Sequence, residues 1–135
     1  MHCVSIYPTE NDQCELNNIK MLKDRYPGVT IGWSTHEDPD DSSILSIAKA
    51  AGADIFERHI GIETHNFKPN KYSSTPAQVD KWLGSWKKTN KVLGKNNRDV
   101  LKIEKESLQE LRRGVYLKKS LKKNHSLKRK DVYFS

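Results

Sequence analysis

The chain has 135 residues, of which 35% are hydrophobic and 30% charged, and its formal net charge is +7. That length suffices for a domain with its own core but falls short of the ~250 residues of a complete eight-fold α/β barrel. Two cysteines, no apolar run approaching a membrane span and no signal-type leader argue against a disulfide-stapled secreted scaffold or a membrane protein, so the expected compartment is the cytoplasm.

The positive charge is concentrated at one end. Residues 111–135 hold nine Lys or Arg against the single acid Asp131, net +8, whereas the preceding 110 residues hold 15 basic and 16 acidic side chains. A basic tail of this kind suits nucleic acid or an acidic membrane surface. Its aromatic residues are not interleaved in a stacking pattern, so the plainer reading is a solvated face, with no nucleic-acid or membrane partner expected.

In chain order, His2 to Tyr7 reads as a short strand ended by Pro8. A buried strand at the first residues hints that something normally comes before it. Asn11 to Gln13 reads as a loop. Leu16, Ile19 and Leu22 then recur at helical spacing up to Pro27-Gly28. Val29 to Ser34 reads as a second strand, followed by Thr35-His36. Asp38 to Ser42 is rich in N-capping residues; Ile44, Leu45, Ile47 and Ala48 give the helix behind it an apolar face, and Gly52 stops it. Ala53 to Phe56 reads as a third strand, followed by Glu57-Arg58-His59. A polar loop over 60–74 leads to Thr75-Pro76-Ala77-Gln78, a helix start with a capping box and Pro at the first position; Val79, Trp82, Leu83 and Trp86 mark one face of that helix.

Alternation of strand and helix predicts parallel strands covered by helices, here part of a barrel, since three strands alone leave two open edges. Beyond Gly94 the chain becomes charged, with a short helix near Ile103 to Leu111, and then returns to strand-like runs at Gly114–Leu117 and Asp131–Phe134 around a turn at Lys122 to His125. The expected organisation is a barrel portion over 1–95, a linker over 96–110 and a small β domain from 111 to 135.

His36 and His59 each sit just past a predicted buried strand, at the strand's C-terminal end. In α/β barrels that end gathers ligands and chemistry, and two converging imidazoles suit a divalent metal. A lone histidine in such a place is more often a hydrogen-bonded strand-end residue; the matched pair favours metal. His2, His65 and His125 have no such context and read as surface or loop histidines.

Four segments in register, Cys3-Val4-Ser5-Ile6-Tyr7-Pro8-Thr9, Ile31 to His36, Gly52 to His59, and Arg112-Arg113-Gly114-Val115-Tyr116 through Asp131 to Phe134, resemble the sialic acid synthase (NeuB-like) family over nearly the whole chain. The resemblance implies a partial TIM (β/α)8 barrel, strands six to eight with their helices, followed by the first two strands of a small antifreeze-like (SAF) β domain. It also implies a piece of a longer enzyme, with a separate N-terminal half as one possible partner. The family condenses phosphoenolpyruvate with an N-acyl amino sugar such as N-acetylmannosamine, with Mn2+ or Mg2+ as Lewis acid and loss of phosphate, and its members pair as homodimers.

Carried over residue by residue, the resemblance makes His36 and His59 the metal ligands and the catalytic pair. Ser34 and Ser5 become phosphoenolpyruvate contacts, with Ser5 standing where better-known members have Asn. Tyr7 and Asn70 become sugar contacts. Asn70 replaces an Asp of many members, which keeps the shape, loses a charge and gains a donor, and so suits a different acceptor sugar. Thr35 also replaces an Asp. Glu57 and Arg58, which precede the metal histidine in the family pattern too, read as a pair that either supports the metal ligands or is structural, and Asn124 stands where members have Gly, at a turn that Asn tolerates. The Lys and Glu residues used for phosphate binding and acid–base work fall outside these residues, so the chain alone is expected to be inactive. The competing reading is a non-catalytic metal- or anion-binding module.

Overall fold

A computed structural model describes residues 1–95 and 99–135. The chain divides into two compact units, Met1–Gly94 and Lys95–Ser135.

In the first unit, strands β1 (His2–Cys3), β2 (Gly32–Thr35) and β3 (Ile55–Arg58) form a parallel sheet in that order. The register sets His2 against Trp33 and Cys3 against Ser34, and pairs Gly32 to Thr35 with Ile55 to Arg58 one for one. Helices α1 (Asn17–Arg25), α2 (Ser43–Ala51) and α3 (Pro76–Leu93) follow the strands in turn. This is the alternating strand and helix order expected of parallel strands.

The strands lie closer to the histidines than the apolar runs suggested. β3 does not start at Ala53, because that residue's N–H closes helix α2 onto the Ala48 carbonyl at 3.0 Å. Gly52 makes this possible as the left-handed cap, at φ +111°. β1 spans two residues instead of six. The chain curls away after it, with the Thr9 hydroxyl donating to the Ile6 carbonyl at 2.6 Å, and Ile6 and Tyr7 are exposed. Asn11–Gln13 is one turn of 3-10 helix rather than a plain loop.

Alternation along the strands sorts the side chains onto two faces. Trp33 and Phe56 point to the helices, their rings 6.4 Å apart, and Phe56 meets Trp82 of α3 at 5.8 Å. Ile19, Ile44, Leu45, Ala48 and Trp82 complete this core. Ser34 and Glu57 lie on the other face, as the same alternation requires.

Helix α3 begins as its sequence demands. Thr75 Oγ1 accepts from the Gln78 N–H at 3.3 Å, and Gln78 Oε1 accepts from the Thr75 N–H at 2.8 Å. Thr75→Ala is expected to lower the stability of this unit by about 1 kcal/mol, the usual worth of an N-cap, as a shift in urea midpoint at unchanged slope.

Two cysteines are free; Cys14 is buried, and burial pushes its thiol up to about 11, where it is inert. His2 is a correction to the surface reading. It is buried, and its Nε2 lies 2.8 Å from the Cys14 carbonyl. Such a bond satisfies a buried polar ring without any catalytic role.

The second unit contains helix α4 (Lys102–Glu110) and the antiparallel pair β4 (Val115–Leu117) and β5 (Val132–Phe134). Tyr116 and Tyr133 stack across the pair at 5.6 Å. Asn124 takes φ +66°, the left-handed conformation its side chain tolerates.

His125 is an exposed loop residue, as expected, and it has a specific partner. Its Nε2 is 3.0 Å from Asp131 Oδ2, which in addition accepts from the Lys128 N–H at 2.9 Å. The His125 bond first, then the Lys128 N–H, holds the Asp131 carboxyl below the usual carboxylate range. A carboxylate depressed in the fold adds stability above its unfolded pKa of about 3.9 and loses it as pH falls through the folded value. The Lys128 amide resonance of the full chain is therefore expected to report loss of this turn only below about pH 4, and Asp131→Asn to remove that acid transition.

Candidate active site at the strand ends

The β2–β3 register ends with Thr35 opposite Arg58. The next residues, His36 and His59, therefore leave the sheet side by side. Their ring centroids are 5.2 Å apart. His36 is buried, 4% exposed, and His59 is open to solvent. The His36 carbonyl accepts from the Thr9 N–H at 2.9 Å and the His59 carbonyl from the Ser74 N–H at 2.9 Å, so both backbones are tied down.

Burial, then the neighbouring His59, lowers the pKa of His36 below the ordinary histidine value; the Val4 backbone and Glu57 oppose this in part. The outcome at neutral pH is a neutral imidazole with a lone pair to give, the form that ligates a metal.

Two aromatic rings complete the cluster. Tyr7 meets the His36 ring edge-on at 4.4 Å, and Tyr72 meets His59 at 5.2 Å and His36 at 5.9 Å. Tyr7 and Tyr72 are 5.3 Å apart. Tyr72 was not among the residues singled out from the sequence. Its only signal there is an aromatic side chain near the end of a polar loop. The structure brings it in by bridging Ile60 to Ser74, which folds the 60–74 loop back over the strand ends.

The remaining predicted residues are less closely gathered. Ser34 is buried on the face that carries Glu57, and its hydroxyl donates to Glu57 Oε1 at 2.7 Å. Ser5 is exposed beyond β1. Asn70 is exposed in the loop, two residues from Tyr72, and its carbonyl accepts from the Ser73 N–H at 3.3 Å.

Glu57 and Arg58 point to opposite faces of the sheet, as adjacent strand residues do. Glu57 takes the Ser34 hydroxyl, and Arg58 takes Glu37 on the helix-covered side.

The donor set fits a divalent cation in a particular way. Two imidazoles converge, and among the described residues no group of three or more His, Cys, Asp or Glu is gathered to hold an ion. Such a set leaves most of the coordination sphere to water and substrate oxygens, as Lewis-acid chemistry requires.

Among the described residues no helix is long and apolar enough to cross a membrane. A solved structure from Chromobacterium violaceum, provisionally named spore coat polysaccharide biosynthesis protein E, is 40% identical, with a TM-score of 0.88 over 99% of this chain and 40% of that one. A sialic acid synthetase from Leptospira borgpetersenii, solved in complex with citrate, is 29% identical, with a TM-score of 0.69 over 81% of this chain and 38% of that one. The mouse N-acetylneuraminate-9-phosphate synthase is 26% identical over 87% of this chain and 33% of its own length. The chain thus spans about 40% or less of the length of these relatives. The model of the NeuB family matches residues 1–98. The chain belongs to the NeuB family.

Proposed function

We propose that this chain supplies the metal-binding strand ends of a sialic acid synthase-type enzyme, one that joins phosphoenolpyruvate to the aldehyde of an N-acyl amino sugar and releases phosphate. The observation that carries this reading is the convergence of His36 and His59 at the ends of neighbouring parallel strands. Family membership and the named synthases among its relatives support it. The same reading takes the first unit as strands six to eight of a barrel and residues 111–135 as the opening of an antifreeze-like domain, in an enzyme that works as a homodimer in the cytoplasm.

In this reading His36 and His59 hold Mn2+ or Mg2+. When bound, the ion polarises the aldehyde oxygen and stabilises the charge that grows there as the new carbon–carbon bond forms. The protein's own part is to hold two neutral nitrogens in place and to wall the site. Buried His36 is kept neutral, and Tyr7 and Tyr72 pack against the imidazoles, which leaves two hydroxyls near the position of an incoming sugar. Ser34 meets the anionic substrate as a donor by turning its hydroxyl away from Glu57. Asn70, in the same loop as Tyr72, reaches the sugar as a neutral donor and acceptor.

Titration of the 135-residue chain with Mn2+, followed by the loss of the free-ion electron paramagnetic resonance signal, tests the reading. One ion bound per chain is expected, and no binding refutes it. Phosphate release from phosphoenolpyruvate and N-acetylmannosamine by this chain alone is expected to be nil.

A further inference from the structure

We propose that Arg58 is the positioning residue of the two-histidine site, setting the spacing of His36 and His59 through Glu37 and Ser74 without touching a ligand itself; this rests on the metal-site reading above. Arg58 immediately precedes His59, and Glu37 immediately follows His36. The Arg58 Nη1 donates to Glu37 Oε1 at 2.5 Å, and Nη2 donates to the Glu37 carbonyl at 3.1 Å. The guanidinium therefore grips the residue after one histidine by side chain and backbone together. Its Nε donates to the Ser74 hydroxyl at 2.5 Å, and Nη1 also reaches Thr35 Oγ1 at 3.4 Å.

Ser74 is the residue whose N–H holds the His59 carbonyl, and it lies two residues past Tyr72, whose ring touches both imidazoles. One planar cation thus ties together the ends of two strands and the loop that closes over them. The side chains of Arg58 and Glu37 are 3% and 0% exposed, and the Arg58 carbon Cζ lies 5.9 Å from the centre of the Trp82 ring. A rigid fork serves this purpose and a point charge does not, since only arginine presents donors in several fixed directions.

A buried ion pair also has a purely structural interpretation, and the two make different predictions. Replacing both charges by apolar residues of similar size is often neutral for stability. The double variant Glu37→Leu with Arg58→Met is therefore expected to fold, with a far-UV spectrum and melting temperature near those of the parent. Its Mn2+ affinity is expected to fall about tenfold to a hundredfold, the usual effect of losing groups that orient metal ligands. Its Co2+ absorption bands are expected to shift and broaden as the two histidines lose their fixed spacing.

Arg58→Lys is the second arm. It keeps the charge against Glu37 but cannot reach the Glu37 carbonyl and Ser74 at once, so the same loss of affinity is expected in a folded protein. Should the double variant fail to fold, the lysine variant decides. A folded variant of either kind with parental Mn2+ affinity and parental Co2+ bands overturns the proposal while leaving the two-histidine site standing. If the parent chain binds no metal at all, the site reading itself fails and the positioning role falls with it.

Discussion

Replacing His36 or His59 by alanine is expected to abolish Mn2+ binding by the 135-residue chain while leaving its fold intact. Among the described residues the site offers the ion two neighbouring imidazoles, so each is half of what the protein supplies. Outer residues that merely orient ligands are worth about tenfold to a hundredfold in affinity, so loss of a ligand itself is expected to exceed a hundredfold.

The fold is expected to survive because each histidine is anchored by its backbone. The carbonyl bonds to Thr9 and Ser74 do not need the side chain. Calorimetry with Mn2+, beside a circular dichroism spectrum of each variant, measures both quantities. Unchanged affinity in folded His36→Ala and His59→Ala variants would sink the metal site. The competing binding module makes the opposite prediction: binding of a polyanion such as heparin that weakens steeply with salt and ignores both histidines, because the basic residues of 111–135 would carry it.

The second large effect is expected from breaking the buried ion pair on one side only. Arg58→Ala leaves Glu37 as an uncompensated charge at 0% exposure, and Glu37→Ala does the same to Arg58. Removing one partner of such a pair is worth about 3–5 kcal/mol. That is a large share of the 5–15 kcal/mol that holds a typical domain together. Arg58→Ala is expected to be the worse of the two, because it also releases Ser74 and Thr35 and removes the cation from beside Trp82.

Glu37 Oε2 has no hydrogen-bond partner among the described residues, so the pair is not an optimised source of stability. This is the physical reason the apolar double replacement is expected to be far milder than either single one. Urea denaturation of the three variants and the parent gives the comparison directly. Single variants within 1 kcal/mol of the parent, a small fraction of the buried-pair value, would show that the pair is solvated in solution.

Much of the fold was written locally. The capping box at Thr75, the left-handed stop at Gly52, the apolar face of α2 at Ile44, Leu45 and Ala48 and the strand and helix alternation all depend on residues within a few positions of one another, and each appears where the sequence placed it, except that Ile47 of α2 is exposed. The neighbourhood of His36 and His59 was also legible. The sequence set them two and three residues past its apolar runs, at the same end of two successive strands; the observed strands end at Thr35 and Arg58, so each histidine directly follows its strand and the parallel register brings the two together.

Three features were not legible, for the same reason. Arg58 pairs with Glu37, Tyr72 closes over both imidazoles, and His2 is buried against the Cys14 carbonyl. Each depends on which face a strand residue takes and on where a loop without periodicity turns back. A slip of one residue in pairing register reverses the face of every side chain, and the apolar runs place the start of β3 two residues too early because they do not show that Ala53 is spent on closing helix α2. The sequence by itself determined the order of the elements, their caps and the pairing of two histidines. Only the tertiary structure decided which charged side chains meet in the interior, because those contacts join residues 16 to 23 positions apart through a sheet register that no local pattern encodes.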